Sequence, residues 1–402
     1  MDYIFIDDNE ENIKFGLVEN NKLMEFFIEN KDNKSLIGNI YRARVQKVIK
    51  GIDAAFIDIN QEENGYLPLK SLVLSEDKRK ANLSKIKGGD SILVEVKKDP
   101  TGKKGAFLTR DITFTGNYIV LTPFDSAIKI SRKIDSKEDI YRLLDFGQKI
   151  KKDNLGMVFR TNAKNVSKST LENEYNSLIQ IYNKVMKEKD FLPVPKLIYK
   201  EPSRYISFIR GIKDKNKYKI YYNNKTFEKE FENYLKDDIN SFKSLEYNSE
   251  FNTDYNLDIS LGLAEALGRC VRLDNGIDIV IDELEALTAI DVNSASYTGN
   301  LSLEETKLDV NLKVIPEIAR QIRLRNLSGI ILIDFISLSN LKNQNLIIEK
   351  LKEEVNKDSN RPYIIGFTKL GLLEITRKRN YGSLRDNMLK KCNICEGFGY
   401  IK

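Results

Sequence analysis

Two acidic residues in the last third of the chain stand where carboxylates can do chemistry. Asp291 closes the apolar run 287–290, and Asp334 closes the run 330–333. Successive side chains of a strand point to opposite faces. A strand over 287–293 therefore turns Asp291 and Asn293 to one side and Ile290 and Val292 to the other. A carboxylate and an amide oxygen then sit side by side at a strand end. Asp334, at the end of a second buried strand, could complete an all-oxygen donor set for a hard cation such as Mg²⁺. A plainer reading stands beside this one, because acids at strand ends also serve as turn formers and helix N-caps.

The elements that must position these acids follow from the surrounding pattern. Residues 303–325 space Leu308, Leu312, Ile315, Ala319 and Ile322 along one helical face. Pro316 fits there as a kink or as the first residue of a second helix. Arg320, Arg323 and Arg325 would give this region a cationic end near the acids, or a solvated face. After Pro362, YIIGFTKLGLLEITRKRN reads as a strand followed by a basic helix. Arg361 and Arg377 are further candidates for offsetting charge on a phosphate.

Composition bounds the chemistry. The chain has 402 residues, 41% hydrophobic and 31% charged, with a formal net charge of +6. It is long enough for two to four domains, and any basic footprint must be local. It contains no histidine. That excludes a ribonuclease working through paired histidines and a Ser-His-Asp hydrolase, so cutting a phosphodiester would need a metal, or carboxylates with Lys and Arg. Three cysteines argue for a reducing compartment rather than a disulfide scaffold. The acidic start MDYIFIDDNEEN lacks the basic, then apolar, character of a signal peptide. No apolar run is long enough to span a bilayer, and the expected location is cytoplasmic.

Along the chain, residues 1–34 read as strands, with a hairpin joined at Asn20-Asn21. Residues 35–115 hold many short strands with Gly-rich turns, the pattern of a small closed barrel. Arg42, Arg44 and Lys47 are candidates for phosphate contact. Phe56 is either barrel core, following Ala54-Ala55, or an exposed platform for a base, and Tyr66 is equally open. Residues 167–189 form an amphipathic helix. Residues 205–265 are rich in Lys and Asn and are expected to return to the fold begun by residues 1–34. The chain ends KCNICEGFGYIK, in which Cys392 and Cys395 form a CxxC of zinc-knuckle type. Structural zinc takes four ligands, and Cys270 is the only other cysteine, so two chains each donating the pair could complete a site. A redox CxxC is the rival.

The strings EALTAIDVNS, ARQIRLRNLSGIILIDFI and GLLEITRKR, with VFRTNA upstream, resemble the RNase E/G family of endoribonucleases. The resemblance spans essentially the whole chain. It implies an α+β multidomain fold: an RNase H-like domain with no catalytic site of its own (1–34 and 205–265), an inserted S1-type OB barrel (35–115), a 5′-sensor region (116–204), a DNase I-like α/β catalytic domain (266–390) and a C-terminal zinc-link (391–402). It implies Mg²⁺ held by Asp291 and Asp334 with Asn293 beside them. Phe56 and Tyr66 match the family's exposed aromatic positions on the barrel, and Lys104 its basic partner. Arg160 and Thr161 match the positions that grip a 5′-monophosphate, although RTNA stands here where the family has RTAG. The resemblance further implies zinc shared by Cys392 and Cys395 across a homodimer, and the family's small C-terminal domain is not expected, since the chain stops just past the CxxC. The implied activity is hydrolysis of single-stranded RNA to 5′-phosphate and 3′-hydroxyl ends, in rRNA or mRNA processing and decay. A non-catalytic RNA-binding or ribosome-associated protein using the barrel, and a metal phosphodiesterase acting on DNA or a small molecule, are the alternatives.

Overall fold

The computed structural model describes residues 2–31, 35–69, 86–100, 104–134, 136–152, 154–191, 193–273, 276–294, 303–338, 340–358, 360, 362–379, 382–390 and 392–395. The chain divides into two compact units, Met1–Asp32 with Asp214–Lys402, and Asn33–Lys213. Among the described residues no helix is long and apolar enough to cross a membrane.

The first unit begins with β1 (Tyr3–Asp8), β2 (Asn12–Glu19) and β3 (Lys22–Asn30). Asn20 and Asn21 join β2 to β3, both at positive φ, 50° and 58°. A two-residue hairpin turn of this hand asks for that at both central positions, and asparagine tolerates it. When the chain returns, β14 (Lys219–Tyr222) lies parallel to β1, and β15 (Ser244–Tyr247) continues the sheet in the order β15-β14-β1-β2-β3. Two acids end β1, a pair the sequence reading passed over. Asp7 is buried, and its carboxylate accepts from the Asn223 amide at 2.7 Å and from the Thr253 backbone and hydroxyl at 2.8 and 2.7 Å. Those bonds hold the return segment to β1.

The rest of this unit is a second, six-stranded sheet: β16 (Cys270–Arg272), β17 (Asp278–Glu283), β18 (Leu287–Asn293), β19 (Gly329–Asp334), β20 (Tyr363–Phe367) and β21 (Leu373–Arg377), in the order β16-β17-β18-β19-β21-β20. β18 and β19 run parallel, joined through a helix at Leu303–Leu324 that packs with the helix Leu341–Val355 on one sheet face. That core is made by Ile279, Ile281, Ile290, Val292, Ile331 and Ile333 from the strands and Val310, Val314, Ile318, Ile347 and Leu351 from the helices.

Three expectations change here. Pro316 lies inside one continuous helix and starts no second one. The helix buries Val310, Val314, Ile315, Ile318 and Ile322, while Leu308, Leu312 and Ala319 are only partly covered. It is buried on more than one side, so a single-stripe reading rotated its face. The segment after Pro362 is a strand hairpin, β20–β21, and not a strand and a basic helix. Leu373, Ile375 and Arg377 are buried alternately, a period of two, and Gly371 at φ +87° supplies the turn.

In the second unit, β4 (Ile40–Ile49), β5 (Ala54–Asp58), β6 (Gly65–Pro68), β7 (Ser91–Lys98) and β8 (Phe107–Thr109) close into a five-stranded barrel through the β4–β7 pairing, and β13 (Lys196–Tyr199) adds to β4. Ala43, Val45, Ala55, Ile57, Leu67, Val94, Val96 and Leu108 fill its interior. The four strands β9 (Phe114–Thr115), β10 (Ile119–Thr122), β11 (Ile128–Ile130) and β12 (Gly156–Phe159) form a second sheet. Against it pack α1 (Lys137–Ile150) and α2 (Lys168–Glu188), whose N-cap Ser167 accepts the Thr170 N–H.

Candidate functional site

Parallel pairing of β18 with β19 sets Asp291 and Asp334 in register as direct cross-strand partners. Neighbouring strands lie ~4.8 Å apart, so the two carboxylates share one exposed end of one sheet face. Asn293, also exposed, donates its amide to Asp291 Oδ2 at 2.7 Å. The alternation that buries Ile290 and Val292 in the helix-covered core is what turns Asp291 and Asn293 outward. On β19, Ile331 and Ile333 do the same for Asp334.

Two positioning features escaped the sequence. Asn311, fully buried in the helix Leu303–Leu324, donates to the Ile336 carbonyl at 2.8 Å and accepts the Ile336 N–H at 3.0 Å. This clamp fixes the backbone two residues past Asp334. Asp278 on β17 is the register partner of Asn293 and brings a further carboxylate beside the site. Its alternation with the apolar Ile279 and Ile281 was the only available signal.

The acids of this sheet differ in what they hold. Asp278 accepts from Arg272 Nε at 3.0 Å, and Asp282 takes both Arg269 Nε at 2.6 Å and NH2 at 2.8 Å, which holds its carboxyl below the usual range. Asp291 and Asp334 make no ion pair among the described residues. Two like charges opposed on adjacent strands are destabilising, and a divalent cation would offset them. The donors are oxygens, and the fit is to a hard ion.

The basic residues expected near these acids are engaged elsewhere. Arg377 is buried, with Nε on Asp358 at 2.7 Å and NH1 on Asn326 Oδ1 at 2.7 Å and the Leu327 carbonyl at 2.9 Å. Arg320, Arg323 and Arg325 are buried too: Arg320 binds Glu265, Glu317 and the Leu23 carbonyl, Arg323 faces Glu25, and Arg325 binds Gln321. Arg320 and Arg323 tie the helix to the first sheet, Arg325 turns back on Gln321, and the three are neither a free cationic end nor a solvated face. Arg361 lies outside the described residues.

On the barrel, Phe56 and Tyr66 are half-buried register partners, their rings edge-on at 6.2 Å. Phe56 is therefore not core. The row continues to Phe107, 5.9 Å from Tyr66, over which Lys98 Nζ stands at 5.6 Å. Sequence reasoning missed Phe107, since β8 is only three residues long. Lys104 is exposed on the approach to β8. Lys47 is the register partner of Phe56 and is exposed. By contrast Arg42 bonds Ser91 Oγ at 2.8 Å and the Phe191 carbonyl, and Arg44 reaches the Val194 carbonyl at 3.4 Å. Both are spent on joining the barrel to the segment before β13.

Arg160 follows β12 and Thr161 opens a short 3₁₀ turn, Thr161–Asn165. Arg160 NH1 donates to the Gly116 carbonyl at 2.6 Å, and no other hydrogen bond of its guanidinium occurs among the described residues. Burial pushes its pKa down, opposed by the Glu174 carboxylate. The Thr161 hydroxyl lies 3.2 Å from that of Ser131. Arg142 braces the turn from α1 through the carbonyls of Ala163, Lys164 and Val166. A half-buried guanidinium bound, among the described residues, on one edge only can accept an anion.

Cys392 and the half-buried Cys395 lie in one turn after the helix Leu384–Met388. The backbone N–H groups of Cys395 and Ile394 hold the Cys392 thiol below its usual pKa, as suits a metal-binding thiolate. Among the described residues no group of three or more potential metal-binding side chains of the His/Cys/Asp/Glu type converges.

Residues 113–380 match the model of the Ribonuclease E/G family. The chain is 32% identical over 402 residues to a protein named ribonuclease G from Haemophilus influenzae, covering 97% of this chain and 82% of that one. It is 30% identical, with the same coverage, to ribonuclease G from Escherichia coli strain K12. A protein named putative ribonuclease E from Buchnera aphidicola is 31% identical over 377 residues, 91% of this chain and 92% of that one. With a family match over about two thirds of its length and relatives aligned over 91–97% of it, the chain belongs to the ribonuclease E/G family.

Proposed function

We propose that this protein is a metal-dependent endoribonuclease that hydrolyses single-stranded RNA to 5′-phosphate and 3′-hydroxyl ends, in rRNA or mRNA processing and decay. The named ribonucleases to which it is similar support the reaction class. The observation that carries the site is the register pairing of Asp291 with Asp334, exposed and without a cationic partner among the described residues. These two carboxylates would hold Mg²⁺, and Asn293 fixes the rotamer of Asp291 through its 2.7 Å hydrogen bond. When bound, the cation would supply an activated water and offset charge on the phosphate.

On the barrel of the inserted unit, Phe56, Tyr66 and Phe107 stack unpaired bases, each worth about 1–3 kcal/mol, with Lys47, Lys98 and Lys104 near the backbone. Arg160 and Thr161 bind a 5′-monophosphate. Cys392 and Cys395 supply half of a zinc site completed by a second copy, which makes the protein a homodimer. In this reading the five-stranded sheet is RNase H-like, the barrel an S1-type OB fold, and the six-stranded sheet DNase I-like.

The test is incubation of labelled, AU-rich single-stranded RNA with and without Mg²⁺. Wild type should yield metal-dependent fragments with 5′-phosphate ends. Asp291→Asn or Asp334→Asn should lose activity at least ~100-fold, since a catalytic cation is worth several kcal/mol, while RNA affinity stays within about twofold. Cleavage by either variant at the wild-type rate rejects the site. RNA binding without fragments from wild type leaves a barrel-based binding protein.

A further inference from the structure

Glu174 projects from α2 into the loop that precedes β10. Its Oε1 accepts the Asn117 N–H at 2.6 Å, and its Oε2 accepts those of Tyr118 and Ile119, both at 2.8 Å. Three consecutive backbone N–H groups thus converge on one carboxylate, an arrangement that elsewhere cradles phosphate. The loop begins at Gly116, the residue whose carbonyl holds Arg160. A Cβ on Gly116 would stand 2.6 Å from the Glu174 carboxyl carbon, so the carboxylate packs directly against the glycine. Helix, carboxylate, loop carbonyl and guanidinium form one continuous chain of contacts.

We propose that Glu174 is a positioning residue for terminal-phosphate recognition: it fixes the loop of residues 116–119 so that the Gly116 carbonyl orients the Arg160 guanidinium toward the RNA 5′ end. This rests on the reading of Arg160 and Thr161 as a 5′-monophosphate site. A carboxylate suits the task because both oxygens accept. A glutamine keeps the shape but has one accepting oxygen, and its NH₂ would face an N–H donor. By filling the loop's own anion nest, Glu174 also leaves the open edge of Arg160 as the place for the incoming phosphate.

The experiment measures kcat and KM on two RNA oligonucleotides of one sequence, 5′-monophosphorylated or 5′-hydroxyl, for wild type, Glu174→Gln, Gly116→Ala, Arg160→Ala and the double variant Glu174→Gln/Arg160→Ala. Wild type should prefer the monophosphate. Glu174→Gln should lose that preference by roughly fivefold or more, the effect of one misplaced hydrogen bond, and mainly through KM. The double variant should lose no more than Arg160→Ala alone, a non-additivity that general loosening would not produce. Gly116→Ala disturbs the same contact from the loop side, and its loss of preference serves if Glu174→Gln does not fold. A preference retained in Glu174→Gln, or in Gly116→Ala where that variant stands in, or losses that multiply in the double variant, overturn the positioning role while leaving the phosphate site standing. Absence of any preference in wild type overturns the phosphate site itself and Glu174's role with it.

Discussion

Asp282 and Asp291 lie on neighbouring strands and have opposite surroundings, one forked by an arginine, the other bonded, among the described residues, to an amide alone. No composition or spacing rule separates them; the pairing of Arg269 with Asp282 joins residues 13 apart in the chain through a strand pair. Arg377 makes the same point from the basic side. In the string TRKR it looks solvated, but its partners Asp358, Asn326 and Leu327 come from distant turns. A buried carboxyl gives a sharper residue-scale test. Glu201 is pushed up to about 7, first by burial and further by the Glu95 carboxylate, with Arg210 pulling the other way. Because its folded pKa lies above the unfolded value, the native state binds the extra proton. The contribution is full below about pH 4.5 and is lost as pH rises through about 7. Glu201→Gln should therefore flatten the fall in stability between about pH 5 and 8 and recover up to ~3 kcal/mol at the alkaline end. Urea unfolding across that range checks it, and an unchanged slope assigns the pH dependence elsewhere.

At the scale of elements, the row Phe56–Tyr66–Phe107 crosses three barrel strands and ends under Lys98. Phe107→Ala should weaken single-stranded RNA binding by about 1–3 kcal/mol, as much as Phe56→Ala or Tyr66→Ala, with fluorescence anisotropy as the measurement. Undiminished affinity would end the row at Tyr66. The strands that carry the acids were legible because each is an apolar run closed by a charge, and β18 spans the expected 287–293. The hairpin β20–β21 was not, since the three basic residues just after LLEIT, Arg377 to Arg379, outweighed a five-residue alternation. Helix Leu303–Leu324 was legible in extent but not in facing. A helix covered on several sides carries no single stripe, and two of its buried positions are arginines, Arg320 and Arg323, which reach Glu265 and Glu25 on other elements.

For the whole molecule, the prediction concerns assembly. Native mass measurement should give a dimer holding one zinc per two chains, and strong chelation or Cys392→Ser should release monomers. A monomer that keeps bound zinc would sink the shared site, because among the described residues one chain brings just the Cys392–Cys395 pair to that place. The discontinuity of the first unit has its own consequence. Strand β1 needs β14 as its parallel neighbour, and residues 33–213 intervene. On the ribosome, at ~5–20 residues per second, the opening hairpin waits roughly ten to forty seconds for that partner. Meanwhile the barrel and the Arg160 region, wholly contained in the inserted stretch, can mature. The nascent protein thus acquires the parts proposed to hold RNA before the parts proposed to cut it.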